Sequence, residues 1–188
     1  MRILSSKGPR WLTVPVKVKL GQKISEVKPS CNGWQNSHID LLRNEYKKAD
    51  QATVIIPELK EELLSLPDSN LAELNIFMIK ALASRLGIQT HFIHSSDLKT
   101  QGKGDDLLVN LVKSINEKAT YISGEGGAKY QNPEIFFDVG LGFEYIKFEH
   151  PKYDQGGGKF EQGLSVVDCI LWHGWEVTSD LISKVGTL

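Results

Sequence analysis

TYISGEGGAKYQNPEIFFDVGLGFEYIKF, residues 120–148, is the stretch whose reading decides the fold. Thr120 to Ile122 has the β-branched and aromatic character of a short strand. A glycine-rich loop, Ser123 to Tyr130, follows it. A short helix is expected near 133–139, and Phe143 to Phe148 reads as a second strand. Moving toward the N-terminus, Leu107, Leu108, Leu111, Val112 and Ile115 share one helical face. Asp105 and Asp106 lie near the start of that helix, where its dipole favours acids. Before it, IQTHFIH at 88–94 reads as another strand. Strand, helix, strand, helix, strand in this order predicts right-handed crossovers. The expected fold is therefore α/β, with a mainly parallel, Rossmann-like sheet and flanking helices.

The N-terminal half reads as strands and then helices. WLTVPVKV at 11–18 has a strand pattern, with Pro15 placing it at an edge or bulge. Ile24 to Lys28 is expected to pair with it through a turn at Gly21. A helix is expected over 34–48 and another over 58–66, begun near Pro57 and ended before Pro67. The clearest helix runs from Leu71 to Leu86, with Leu71, Leu74, Met78, Ala81, Leu82 and Leu86 as its apolar stripe. Asn70 is its expected N-cap and Gly87 its left-handed terminator.

A chain of 188 residues suits a single domain over 1–188, and the net charge of −1 leaves no electrostatic footprint for nucleic acid. The four tryptophans are too scattered to form a stacking platform. No apolar run approaches the roughly 20 residues that span a bilayer. The first residues lack the apolar core of a secretory signal. Cys31 and Cys169, far apart and without metal-ligand spacing, read as reduced thiols of a cytoplasmic protein, with a disulfide between the two as the alternative.

Two stretches are expected at the carboxyl ends of strands, where such sheets bind ligands. One is Ser95, Ser96 and Asp97, for which a helix-capping turn is the competing reading. The other is Ser123 to Tyr130, where Gly124, Gly126 and Gly127 let backbone N–H groups approach an anion. It matches neither the Walker nor the dinucleotide pattern, so a tight turn competes with a binding role. Lys129 suits a phosphate or carboxylate. In 149–160, His150 and Tyr153 are candidates for proton transfer or substrate clamping, against a polar loop with an anchored tyrosine. Ser165 and Asp168 read as a capping-box variant, with Leu164 and Cys169 as its staple, against a nucleophile and its partner as the competing reading. His38 shares a helix face with Trp34 and Leu42, and a packed histidine is the bland reading. His91 and His94 would fall on opposite faces of a strand, which is poor metal geometry. Asn75 lies on the apolar stripe of its helix, where it ties a loop or reaches into a site.

Taken in order, several pieces resemble the WbqC-like protein family. They are GPRWLTVPV at 8–16, His38 with Tyr46, LAELN at 71–75, HSSDL at 94–98, TYISGEGGAKY at 120–130, EYIKFEHPKYDQ at 144–155 and FEQGLSVVDCILWHG at 160–174. Members usually begin with a QPxYxPWxGY strand and turn, so this sequence is expected to be N-terminally truncated. The resemblance implies a role among bacterial O-antigen and surface-polysaccharide genes. It implies transfer of an acyl or aminoacyl group, glycine among them, to a nucleotide-linked sugar. A non-catalytic binding or scaffolding role in the same pathway is the alternative, and a defunct fragment a third. A fold analogy to nucleotidyltransferase-type, ATP-using ligases leaves the cofactor open between ATP and a nucleotide sugar. In this reading Lys129, Tyr130 and Ser123 to Gly127 hold the anionic part of a small-molecule or nucleotide-sugar substrate. Ser95 to Asp97 line the opposite lip. His150, Tyr153 and Gln155 orient or protonate the reacting group. His38 joins the catalytic set and Asn75 the substrate-binding one, and a homodimer is the expected assembly.

Overall fold

The computed structural model describes residues 1–185. It contains α-helices and two small sheets, and it clusters into two compact units. Of the described residues, 1–90 and 150–185 belong to the first unit and 91–149 to the second.

In the first unit, β1 (Arg2–Ser5) and β2 (Gly8–Trp11) form an antiparallel hairpin in which Arg2 faces Trp11. Pairing thus begins earlier than the sequence suggests. Beyond Trp11 only an isolated bridge between Val16 and Pro29 remains of the expected 11–18 strand. The expected strand at 24–28 opens with a 3-10 turn, Ile24–Glu26, whose residues are exposed. Val27, the buried residue of that segment, gives its carbonyl to the Leu71 N–H at 2.7 Å and not to a strand.

The helical layer consists of α1 (Trp34–Glu45), α2 (Ala52–Leu64), α3 (Leu71–Arg85) and α6 (Val166–Val185). Their core is built on Ile39, Leu42, Ile55, Leu59, Ile170 and Leu171, joined by Ile3 of β1. The start of α2 lies six residues before the expected one, so Pro57 stands inside the helix. Burial of Ala52, Ile55 and Ile56 offsets the hydrogen bond that Pro57 cannot make. Thr53, whose carbonyl gives up that bond, is exposed. The ends of α3 follow the sequence reading. Asn70 Oδ1 accepts from the Glu73 N–H at 3.0 Å. Gly87 has φ +71°, and the N–H groups of Gly87 and Ile88 donate to the Ser84 and Ala83 carbonyls at 3.1 and 2.9 Å. This is a Schellman end.

Gly174 interrupts α6 with φ +80° and ψ 177°, a conformation nearly confined to glycine. The break leaves carbonyls without helical partners. One of them, of Leu171, accepts from the Gln51 N–H at 3.1 Å at the start of α2. The Gly174 carbonyl accepts from Thr178 Oγ1 at 2.7 Å. Between α2 and α3, Arg85 reaches Glu58 and Glu62 at 3.0 and 2.9 Å, and the Trp175 indole N–H donates to Glu58 at 2.7 Å.

The second unit contains α4 (Gly104–Ile115), β3 (Thr120–Gly124), α5 (Glu134–Phe137) and β4 (Gly142–Ile146). β3 and β4 are parallel, with Ile122 facing Glu144. Phe136 is fully buried and stacks on Tyr121 at 5.1 Å, with Phe143 edge-on at 4.9 Å. The α/β character and one parallel pair stand. Among the described residues both sheets have two strands, so the larger parallel sheet is not seen there. Residues 89–94 correct the strand expected at 88–94: they pair with no strand, and Phe92 and Ile93 are exposed. Also among the described residues, no helix is long and apolar enough to cross a membrane.

Gly174→Ala would place a Cβ in this nearly glycine-only conformation. It is expected to lower unfolding free energy by about 1–3 kcal/mol, read from the urea midpoint at unchanged slope.

Candidate functional site

Asp168 sits in the apolar run VVDCIL and is fully buried. Its carboxylate is held on both oxygens. Tyr46 donates its hydroxyl to Oδ1 at 2.5 Å, and Tyr153 donates to Oδ2 at 2.9 Å. The Tyr46 oxygen in turn accepts from the Leu4 N–H at 3.0 Å. Burial pushes the Asp168 carboxyl above its ordinary range, while the two tyrosine hydrogen bonds pull it back. Burial, then the neighbouring carboxylate, pushes the Tyr46 phenol upward. Tyr153 is also raised, chiefly by burial. Both therefore remain donors.

This arrangement corrects the capping-box reading of Ser165 and Asp168. Ser165 does cap α6, its Oγ accepting from the Val167 N–H at 3.4 Å. The reciprocal bond is missing, because the Ser165 N–H donates to the Arg2 carbonyl at 2.7 Å and Asp168 is turned to the tyrosines. The overlooked signal was the lone acid inside an apolar helical run, together with Tyr46.

The segment after His150 folds around Tyr153. Its ring meets Phe160 and His173 edge-on at 5.5 and 5.7 Å. His173 Nε2–H donates to the Asp154 carbonyl at 2.8 Å. Gln155 is buried and doubly bound to the Glu161 backbone, donating to its carbonyl at 3.0 Å and accepting from its N–H at 2.9 Å. Tyr153 and Gln155 thus shape the loop. Beside them lies a hollow of about 210 Å³ lined by Asp154, Lys159 and Phe160. His150 is exposed at the start of this segment.

His38 and Asn75 are brought together elsewhere in the first unit. Both line an open cavity of about 340 Å³ whose base is apolar, with Leu12, Trp34, Leu59 and Leu63 buried in it. His38 Nε2–H donates to the Thr13 carbonyl at 3.1 Å, which leaves Nδ1 as the acceptor of the neutral ring. The Trp34 ring lies edge-on to it at 5.0 Å. Burial lowers the His38 pKa below its ordinary 6.5, so the imidazole is neutral at pH 7.

The remaining sequence candidates lie in the second unit. Ser95, Ser96 and Asp97 form an exposed 3-10 turn in which Ser96 Oγ donates to Asp97 Oδ1 at 3.3 Å. Gly124 ends β3, and a 3-10 turn, Glu125–Lys129, follows it. Gly126, Lys129 and Tyr130 are exposed. Ser123 is buried and donates to Gln131 Oε1 at 2.6 Å. Gly127 packs so closely over those two side chains that a Cβ would collide with both. Here the glycine serves an internal contact. Among the described residues, no group of three or more His, Cys, Asp or Glu is placed to hold a metal.

Comparison with known proteins adds a family. The WbqC-like protein family model matches residues 1–180. The uncharacterized protein Rv1507c of Mycobacterium tuberculosis is 29% identical over 178 residues, covering 93% of this chain and 77% of that protein. No solved structure matches the chain.

Tyr46→Phe removes a hydrogen bond to a buried carboxylate and is expected to cost about 1.5–3 kcal/mol in urea unfolding. The Asp168 carboxyl is raised above its ordinary 3.8, so the native state holds this proton more tightly than the unfolded chain. The resulting stability is complete below 3.8 and is lost as pH rises through the raised value. Urea titrations from about pH 4 upward should therefore show a steeper loss in the wild type than in Asp168→Asn.

Proposed function

The chain belongs to the WbqC-like protein family, and on that footing we propose that it acts in bacterial surface-glycan biosynthesis. The proposed activity is transfer of an activated acyl or aminoacyl group to a nucleotide-linked sugar in the cytoplasm. The observation that carries this reading is His38, neutral and oriented by Thr13 on the wall of the apolar cavity.

In the proposed reaction, His38 Nδ1 takes the proton from the acceptor hydroxyl or amine as that atom attacks the acyl carbonyl. The bond from the carbonyl carbon to its activating group then breaks. The imidazolium returns the proton to the departing group, so the histidine ends neutral. In the second unit, the exposed Lys129 is proposed as a contact for phosphate or carboxylate, with Tyr130 and the Ser123 to Gly127 turn beside it. Ser95, Ser96 and Asp97 are proposed as a polar contact of the second unit taken by itself; within the first unit, Asn75 is proposed as one at the cavity. His150 is proposed to assist proton transfer. The parallel β3–β4 pair supports a Rossmann-like arrangement as part of the same proposal.

A binding or scaffolding role in the same pathway is the second reading. It is favoured by Tyr153 and Gln155, whose polar groups are committed to Asp168 and the Glu161 backbone.

Two measurements separate the readings. Glycan composition in cells carrying His38→Gln should lose the modification, matching a fall in turnover of about 10²–10⁴-fold. A nucleotide sugar should still raise the melting temperature of that variant. A scaffold would keep the modification. With His38 lowered from 6.5, the acid limb of kcat/KM should lie below that value, activity rising with pH as the ring deprotonates.

A further inference from the structure

We propose that the cavity beside His38 binds a straight-chain aliphatic acyl group of medium length, tail inward and carbonyl at the rim. The inference rests on the acyl-transfer reading and narrows it from acyl or aminoacyl to aliphatic acyl.

The argument begins with how polarity is distributed over the lining. Leu12, Leu59, Leu63, Leu74 and Val167 are buried at its base. Asn75 is exposed, and His38 and Ser165 are half-buried. The hollow therefore runs from apolar depth to polar mouth, which is the profile of an amphiphile entering tail first. Among the described residues no carboxylate, lysine or arginine side chain lines it. The one charged group on a lining residue is the Met1 α-ammonium, which donates to the Leu12 carbonyl at 2.8 Å and would repel a second ammonium. An aminoacyl group carries an ammonium, and burial of that charge without a partner is strongly unfavourable. A hydrocarbon tail meets no such penalty. It also restores the dispersion contacts that leucine side chains forfeit when they face a hollow.

Size narrows the ligand further. A volume of about 340 Å³ is at the lower end of ligand pockets. At about 30 Å³ for each water-sized group, it holds roughly eleven such groups. Allowing for imperfect filling, that corresponds to about eight to ten carbons. Asn75 at the mouth supplies an amide donor for the acyl carbonyl, and His38 Nδ1 at the wall an acceptor for the attacking hydroxyl or amine.

The test is calorimetric titration of the full chain with N-alkanoyl ethanolamides, from acetyl to tetradecanoyl, and with glycinamide. Affinity should rise about fourfold for each added methylene, the ratio set by burial of one such group. It should level off near eight to ten carbons, and glycinamide should not bind. Met78→Trp, from a partly buried position on the lining, should move the plateau to shorter chains. Should that variant fail to fold, Ile79→Trp at the exposed rim should weaken the longest chain at least tenfold. A flat series, a rise continuing through tetradecanoyl, or glycinamide binding as tightly as octanoyl ethanolamide would overturn the inference. So would indifference of the series to a folded cavity variant. If His38→Gln leaves the glycan unchanged while the chain-length plateau persists, the transfer reading fails and the binding site stands. If the plateau is absent while His38→Gln abolishes the modification, only the aliphatic ligand is wrong.

Discussion

A carboxylate removed from water has to be compensated on every side, and in this protein Asp168 imposes that demand. Its two oxygens take the hydroxyls of Tyr46 and Tyr153, and Tyr46 takes the backbone of Leu4. The N-terminal hairpin, α1, the loop after His150 and α6 are thereby fixed to one point. Loss of any one donor leaves a buried negative charge short of a partner, which costs more than the bond itself contributes. The surrounding leucines and isoleucines supply most of the burial energy. They could pack in many ways, whereas the polar cluster accepts few.

This cluster also shapes the polar loop after His150. Tyr153 anchors one end, and the Gln155 amide closes the other on Glu161. Residue types that suit proton transfer are here spent on architecture. His38 differs: one ring nitrogen is used for orientation, and the other is left as an acceptor on a cavity wall.

Local signals were the ones the sequence carried well. The Asn70 cap, the Gly87 terminator and the apolar stripe of α3 depend on neighbours within a few residues, and all of them formed. The parallel strands around 120–146 were also legible, because β-branched and aromatic residues were bounded by glycines. The strand expected at 88–94 shared that composition, yet strands need partners that composition does not name. Pro57 misled in the opposite direction, since burial of Ile55 and Ile56 outweighed a local helix-breaking preference. In the site, His38 and Asn75 were visible as polar residues on apolar helical faces. Their shared cavity was not, because it depends on contacts between α1, α2 and α3. Asp168 looked like half of a capping box, for spacing alone does not tell whether an acid turns back to its own helix or across to a tyrosine.

The first unit is interrupted in the chain by the second, and this sets an order of events during synthesis. Tyr46 and Asp168 are 122 residues apart, so the polar cluster cannot close until α6 has left the ribosome. The bond between Gln51 and Leu171 waits for the same helix. The second unit is contiguous and complete by residue 149. For much of translation, then, the leucine-rich faces of α1, α2 and α3 are without their final partner. Exposed apolar helices of this kind are the surfaces that chaperones hold and that aggregation exploits. The helix that covers these faces is thus made far along the chain from the surfaces it protects.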